Sequence, residues 1–263
     1  MKSSFIPFLV ALLAPTGGAF VISQHPFRSV ATCRVEASTT SSISTTTTDE
    51  EDEAVLSSPM FINESEELSK RPASALSQQE MILISKRFLV SSGGLGGDPA
   101  MLSQSFTFEG PVVGPLGKEE FVKAIGSVDF NAAFPDFTSE FYGFHVDPFE
   151  GNRVWYTARG KGKNTGALIP FVPEKSGTGK MVVNPPQVCS LTIDHSTGLI
   201  SKYTIGYVVD RTVGNTGGLG GLYGILYALG RPLPFPEANP WKKSMQYNLF
   251  QNIGGLLQKL RSE

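Results

Sequence analysis

The chain has 263 residues, a net charge of −2 and 17% charged side chains. This length allows one or two domains, and the near-neutral balance argues against a nucleic-acid binder. The two cysteines, Cys33 and Cys189, stand far apart, and Cys33 falls in a stretch that reads as presequence, so they need not share the mature chain, which argues against a disulfide framework or a cysteine metal site.

Met1-Lys2 is a short basic start, followed by the apolar run "FIPFLVALLA" and the small residues "PTGGA" before Phe20. The run is too short to span a bilayer, so residues 1–19 read as a secretory-type signal. Residues 20–76 come next, with a Ser/Thr tract, Arg28 and Arg34, and no acid before Glu36. Signal, Phe and transit-like stretch together resemble the bipartite presequence of algae with complex plastids. The acidic run "DEEDE" at 49–53 departs from transit composition and reads as part of a linker. Plain secretion is the alternative, in which case Asn63-Glu64-Ser65 is a formal glycosylation acceptor. No membrane span is expected after processing.

The folded domain is expected over 77–213. Ser77 with Glu80 forms a capping box ahead of an apolar face at Met81, Ile84 and Phe88. "SSGGLGGD" stops that helix, with Gly93 as a left-handed cap. Asp98-Pro99 opens a short second helix, "PAMLSQ". "FTFEG" reads as a strand, "PVVGPLG" as a loop, and "KEEFVKAIGSV" as a helix with Glu119 and Glu120 in its first turn. "FNAAFPDF" is irregular. Then come four strand-like runs: "TSEFYGFHVD", "RVWYTARGKG", "QVCSLTID" and "LISKYTIGYVVDR". Helices before, sheet after, is an α+β layout.

Residues 214–263 form a tail. "GLYGILYALG" is expected to be a buried apolar cap. A Pro-rich stretch comes after it, and Asn239-Pro240 opens a last helix with Trp241, Met245, Leu249, Ile253, Leu257 and Leu260 at helical spacing.

The motifs that carry nucleotide chemistry fail. Ahead of Gly117-Lys118 a phosphate loop needs glycine where Val112 stands, and Ser or Thr where Glu119 stands. The dinucleotide pattern fails at Tyr223 and at Pro99. His145 and His195 lack metal-ligand spacing, so neither a metal nor a cofactor is expected. His195 lies in the turn "DHSTG" and reads as solvated.

A set of polar groups on aromatic strands remains: Tyr142, His145, Trp155, Tyr156, Arg159, Tyr203, Tyr207, Asp210 and Arg211. Trp155, Thr157 and Arg159 share one strand face, and Val154, Tyr156 and Ala158 the other; periodicity does not say which face meets the helices. Asp210, at the end of the last strand, suits a general acid or base if apolar neighbours raise its pKa. A carboxylate paired with Arg211, or capping the next segment of chain, is the alternative.

The blocks "GKEEFVKAI", "AFPDF" and "GNRV", in that order over 78–210, resemble the SnoaL-like polyketide cyclase group of the nuclear transport factor 2-like superfamily. The resemblance implies a cone: a curved antiparallel sheet wrapped by N-terminal helices around one pocket, here with an extra C-terminal helix. It also implies an acidic residue near the end of the last strand, for which Asp210 is the nearest match; in an enzyme reading, Tyr207 or His145 would assist it. Three functions are compatible. The first is a binder of a small apolar ligand (lipid, isoprenoid or pigment-related) walled by Tyr142, Trp155, Tyr156, Arg159 and Tyr203. The second is an isomerase, cyclase or hydratase. The third is a scaffold that docks a protein partner, and a homodimer is compatible with all three.

Overall fold

The computed structural model describes residues 49–72, 75–91, 97–242, 244–247, 249–250 and 252–253. The signal, most of the transit-like stretch, the Gly93 helix stop and the end of the last expected helix lie outside the described residues. The chain divides into two compact units, 1–67 and 68–263. In the first, α1 (Asp49–Leu56) takes up the acidic run, and α2 (Glu64–Ser69) begins with Glu64, Glu66 and Glu67 against its positive end. Asn63 supplies a cap, its Oδ1 accepting from the Glu66 amide at 3.2 Å.

The second unit opens with α3 (Gln78–Val90). Both halves of the expected capping box form: Ser77 Oγ accepts from the Glu80 amide, and the Glu80 carboxylate accepts from the Ser77 amide. Met81, Ser85, Phe88 and Leu89 are the buried side of α3, as the spacing requires.

The expected second helix does not form. Asp98 caps a single 3-10 turn, Pro99–Met101, and the chain goes straight into β1 (Leu102–Glu109). Pairing of Leu102 with Ile200 on the last strand outweighs the local helical signal. After β1 come β2 (Leu116–Gly117) and α4 (Lys118–Gly126), then a one-turn helix α5 (Phe130–Ala133) within the stretch expected to be irregular. Asp129 caps α5 through the Ala132 amide. The remaining elements are β3 (Thr138–Val146), β4 (Arg153–Lys163), β5 (Met181–Val183), β6 (Gln187–Ile193), β7 (Ile200–Val208) and α6 (Gly221–Ala228).

The strands form one seven-stranded sheet in the order β2-β1-β7-β6-β4-β3, with β5 paired to the far end of β4. The sheet is mixed, which corrects the expectation of a wholly antiparallel one: β1 runs parallel to β7. The expected curved α+β architecture is otherwise the one observed, a curled half-barrel with a few helices.

The curl has a definable cause. Between Tyr142 and His145, β3 places two residues against Tyr156 of β4. Between Thr204 and Tyr207, β7 places two residues against Cys189 of β6. Tyr156 and Cys189 are themselves cross-strand partners. The bulges therefore fall in one row across the sheet, with Gly143 (φ 69°) in one and Gly206 (φ 88°) in the other. A β-bulge bends its strand and increases local twist, so two in one row fold the sheet along that row.

The side of the sheet inside the curl carries the core. Phe88 and Leu89 of α3, Phe121 of α4, Leu102 and Phe106 of β1, Tyr156, Cys189, Leu191, Ile200 and Tyr203 form one buried cluster. A second cluster lies around α5 and α6, with Phe134, Leu168, Val172, Val182, Ile225, Leu226 and Leu229. Ile225, Leu226 and Leu229 of the apolar segment "GLYGILYALG" are buried in it.

Candidate functional site

The aromatic strand residues divide between the two sides of the sheet. Tyr156 and Tyr203 face the core, where both are buried. Tyr142, His145, Trp155, Arg159 and Tyr207 stand on the other, open side. The pairs Tyr142↔Thr157, Glu140↔Arg159, His145↔Trp155 and Val188↔Tyr207 fix this, since cross-strand partners share a face.

Among the described residues, no Asp or Glu is buried on the core side. The Tyr156 hydroxyl donates to the Tyr203 hydroxyl at 3.4 Å, and Cys189 Sγ donates to the Gln187 carbonyl at 3.7 Å. Burial raises both phenols far above their usual range and pushes the Cys189 thiol up to about 11. All three are neutral at physiological pH. Rings close over them: Phe144 stacks on Tyr156 at 5.2 Å, while Phe88, Phe108 and Phe121 meet Tyr203 edge-on. Among the described residues, the buried cluster on this side includes Phe88, Phe106, Phe121, Tyr156 and Tyr203.

The open side carries a cleft of about 360 Å³, lined by Gly143, His145, Asp147, Trp155, Thr157 and Val188, with Tyr156 beneath. The bulge at Gly143 places His145 there. Its Nδ1 lies 2.9 Å from the Gly143 carbonyl. A carbonyl can only accept, so Nδ1 carries the proton, and in the neutral ring Nε2 is left as an acceptor. Trp155 is fixed from two directions. Its indole N–H donates to Asp147 Oδ2 at 2.7 Å, and the Arg153 guanidinium sits 4.0 Å over its ring. Arg153 is held in turn by Ser190 Oγ at 2.9 Å and Glu150 at 3.0 Å.

Burial pushes the Asp147 carboxyl upward. The amides of Glu150 and Phe149, the Trp155 indole and the Arg153 charge outweigh that, and the net shift is downward. Asp147 thus stays ionised as the anchor of the Trp155 ring. Sequence reasoning missed it, although the spacing Asp147–Trp155 across a tight hairpin was a usable signal.

Asp210 lies just past β7. Its Oδ1 accepts from the Thr212 hydroxyl at 2.6 Å and the Thr212 amide at 2.8 Å. The Thr212 hydroxyl, then its amide, with a further contribution from Arg159, hold this carboxyl below the usual carboxylate range. The raised pKa that acid–base work would need is not found, and Asp210 serves the turn after β7. His195, expected to be solvated, accepts instead from the Leu76 amide at 3.3 Å through Nδ1. It pins the residues ahead of α3 to the β6–β7 turn.

A second cleft of about 310 Å³ lies between residues 174–180 and the end of α6. Its polar groups are already engaged. Lys180 Nζ donates to the Leu229 carbonyl at 3.0 Å, and Arg231 pairs with Glu174 at 2.5 Å. Among the described residues no group of three or more His, Cys, Asp or Glu is placed to hold a metal ion.

No family model matches the chain, and no curated protein does. Its solved structural neighbours include proteins described as SnoaL-like polyketide cyclases and one with a ketosteroid isomerase-like fold. One is a candidate SnoaL-like polyketide cyclase from Jannaschia sp. CCS1, at 16% identity and a TM-score of 0.42, covering 62% of this chain and 99% of that one. Another is AclR, a candidate hydroxylase from Streptomyces galilaeus, at 15% identity and 0.41, covering 71% and 99%. A third, from Catenulispora acidiphila, has a ketosteroid isomerase-like fold in complex with trimethylamine, at 15% identity and 0.35, covering 59% and 96%. These are likenesses of fold alone.

Proposed function

We propose that this chain is a non-catalytic docking domain that receives a protein partner on the open side of its sheet. One observation carries the reading: the core side is filled by Phe88, Phe106, Phe121, Tyr156 and Leu191, each at most 2% exposed, and no carboxylate stands among them. An enzyme of the acid–base kind needs the reverse, a cavity with an acid in it. The open side supplies what interfaces use. Tyr142 and Tyr207 are 46% and 44% exposed, Trp155 and Arg159 flank Thr157 on a strand that lies between theirs, and His145 stands opposite Trp155. Tyr, Trp and Arg are the residue types enriched at interface centres.

A photo-crosslinking residue at position 142 or 207 tests this in the organism's own extract. The expected result is one crosslinked protein, lost when Arg159→Ala or Trp155→Ala is added. A crosslink indifferent to both substitutions sinks the reading.

A second reading, a small apolar ligand, is favoured by the cleft at His145 and Trp155. Its volume falls in the range of about 300–1,000 Å³ typical of ligand sites. Mass spectrometry of purified protein separates the two, since a retained small molecule released by Trp155→Ala supports the ligand. We further propose delivery to a complex plastid, supported by the order of basic start, apolar run, Phe20 and Ser/Thr tract.

A further inference from the structure

The cleft beside His145 has a charge character of its own. Among the described residues that line it, Asp147 is the charged one, and none is Lys or Arg. The other polar side chains on its wall can accept. His145 Nε2 is left as an acceptor once Nδ1 donates to the Gly143 carbonyl, and the Thr157 hydroxyl can accept as well. The Trp155 indole and Val188 supply the apolar part.

The cations nearby do not cancel this. Arg153 covers one face of the Trp155 ring but does not line the cleft, and Glu150 pairs with it at 3.0 Å. Two carboxylates, Asp147 and Glu150, therefore stand against one guanidinium. Arg159, two residues beyond Thr157 on the same strand face, lies opposite Glu140, and its charge also acts on Asp210. Asp147 is held firmly. Its Oδ1 accepts from the Phe149 and Glu150 amides, each at 2.8 Å, while Oδ2 accepts from the indole at 2.7 Å. A fixed negative centre thus lies beside an aromatic wall.

We infer that this cleft takes an arginine side chain of the docked protein. The inference rests on the docking reading above and names what that partner brings. A guanidinium is planar, only donates hydrogen bonds and stacks on aromatic faces, so it fits acceptors set beside an indole. Its methylene stem covers Val188 while the charge stays toward Asp147. An acidic side chain has the reverse fit, since it meets Asp147 and finds no cation on the lining. Arginine is also a residue type that anchors interface centres.

The test uses the full chain carrying Trp241→Phe, which leaves Trp155 as its one tryptophan. Its emission is followed during titration with acetyl-arginine amide, and with acetyl-citrulline amide, the neutral near-isostere, at equal ionic strength. The expected result is a saturating change with the arginine probe and none with the citrulline probe over the same range. His145→Lys places a fixed cation on the wall and should weaken the arginine probe about tenfold or more. Asp147→Asn keeps the shape, removes the charge and should weaken it about tenfold. His145 is exposed, so His145→Lys leaves the core untouched, and unchanged circular dichroism certifies both variants as folded. An equal response to the citrulline probe overturns the inference, because the cleft then does not read charge. No saturable response, or one indifferent to both substitutions, overturns it too. The docking reading fails separately. A crosslinked partner whose capture is unaffected by His145→Lys leaves docking standing and sinks the arginine. A saturating arginine probe without any crosslinked protein sinks docking and keeps the cleft as a guanidinium site.

Discussion

Gly143 and Gly206 occupy matching places on either side of the Tyr156–Cys189 pair, each at positive φ in a bulge of its strand. The row folds the sheet and turns the two buried groups inward. Neither glycine tolerates a side chain freely, since the left-handed region costs an L-residue about 1–2 kcal/mol. The positions differ in space. A Cβ at 143 meets only Thr157 Oγ1 at 3.9 Å, whereas at 206 it meets Pro111 Cδ at 3.3 Å. Gly143→Ala should therefore destabilise by about 1 kcal/mol and Gly206→Ala by about 2 kcal/mol or more. Urea midpoints of the two variants check the order.

The same bulges explain what could be read in the sequence and what could not. Alternation located β3, β4 and β6 within a residue and β7 within three, and the Ser77–Glu80 box located α3. Period two alone would put Tyr203 and Tyr207 on one face. The extra residue near Gly206 separates them, sending Tyr203 inward and Tyr207 outward. The bulge at Gly143 likewise brings His145 to the side of Tyr142. Which face meets the helices was also invisible, because both carry aromatics. The loop before Gly117-Lys118 is architecture. Lys118 Nζ donates to the Leu102 carbonyl at 2.7 Å, and Glu120 accepts from the Gly117 amide at 3.1 Å. Strands as short as β2 and β5 leave no periodicity to read, and the parallel β1–β7 pair is a long-range choice.

The proposed delivery rests on two signals acting in sequence, and they can be separated. Residues 1–76 fused to a fluorescent protein should reach the plastid. Deleting 20–48 leaves the basic start and apolar run alone, and should send the fusion into the secretory route. Microscopy of the two fusions decides. Plastid arrival of the deleted form would mean that the Ser/Thr tract has no part in import.

Asp147 ties the cleft to pH. Its carboxyl lies below the usual range when folded, so it contributes stability above the unfolded carboxylate pKa of about 3.9. That contribution is lost as pH falls through the folded value. Asp147→Asn should therefore be less stable than the native chain at neutral pH. The gap should close on acidification, as the native carboxylate protonates and loses the same bonds. Denaturation midpoints across the acid range measure this, and a gap independent of pH would show that the carboxylate charge is not what holds Trp155.

Cys189 gives a readout of the packed core. Its thiol is raised to about 11 by burial and is shut behind Tyr156 and Tyr203. A thiolate is the reactive form, so both pKa and access protect it. In a chain carrying Cys33→Ser, an aromatic disulfide reagent at mildly alkaline pH should label Cys189 only as fast as the sheet opens. In denaturant, labelling should be immediate. The phenol pair beside it makes the test sharper. Tyr156→Phe removes the donor and leaves the Tyr203 oxygen without it, at a cost of about 1 kcal/mol. Replacing both by Phe removes donor and acceptor together and should be nearly neutral. Labelling should then accelerate in the single variant and return toward the native rate in the double. If a ligand cavity existed behind these rings, small apolar thiol reagents would reach Cys189 quickly in the native protein. Slow labelling, set by opening, is what a filled core requires.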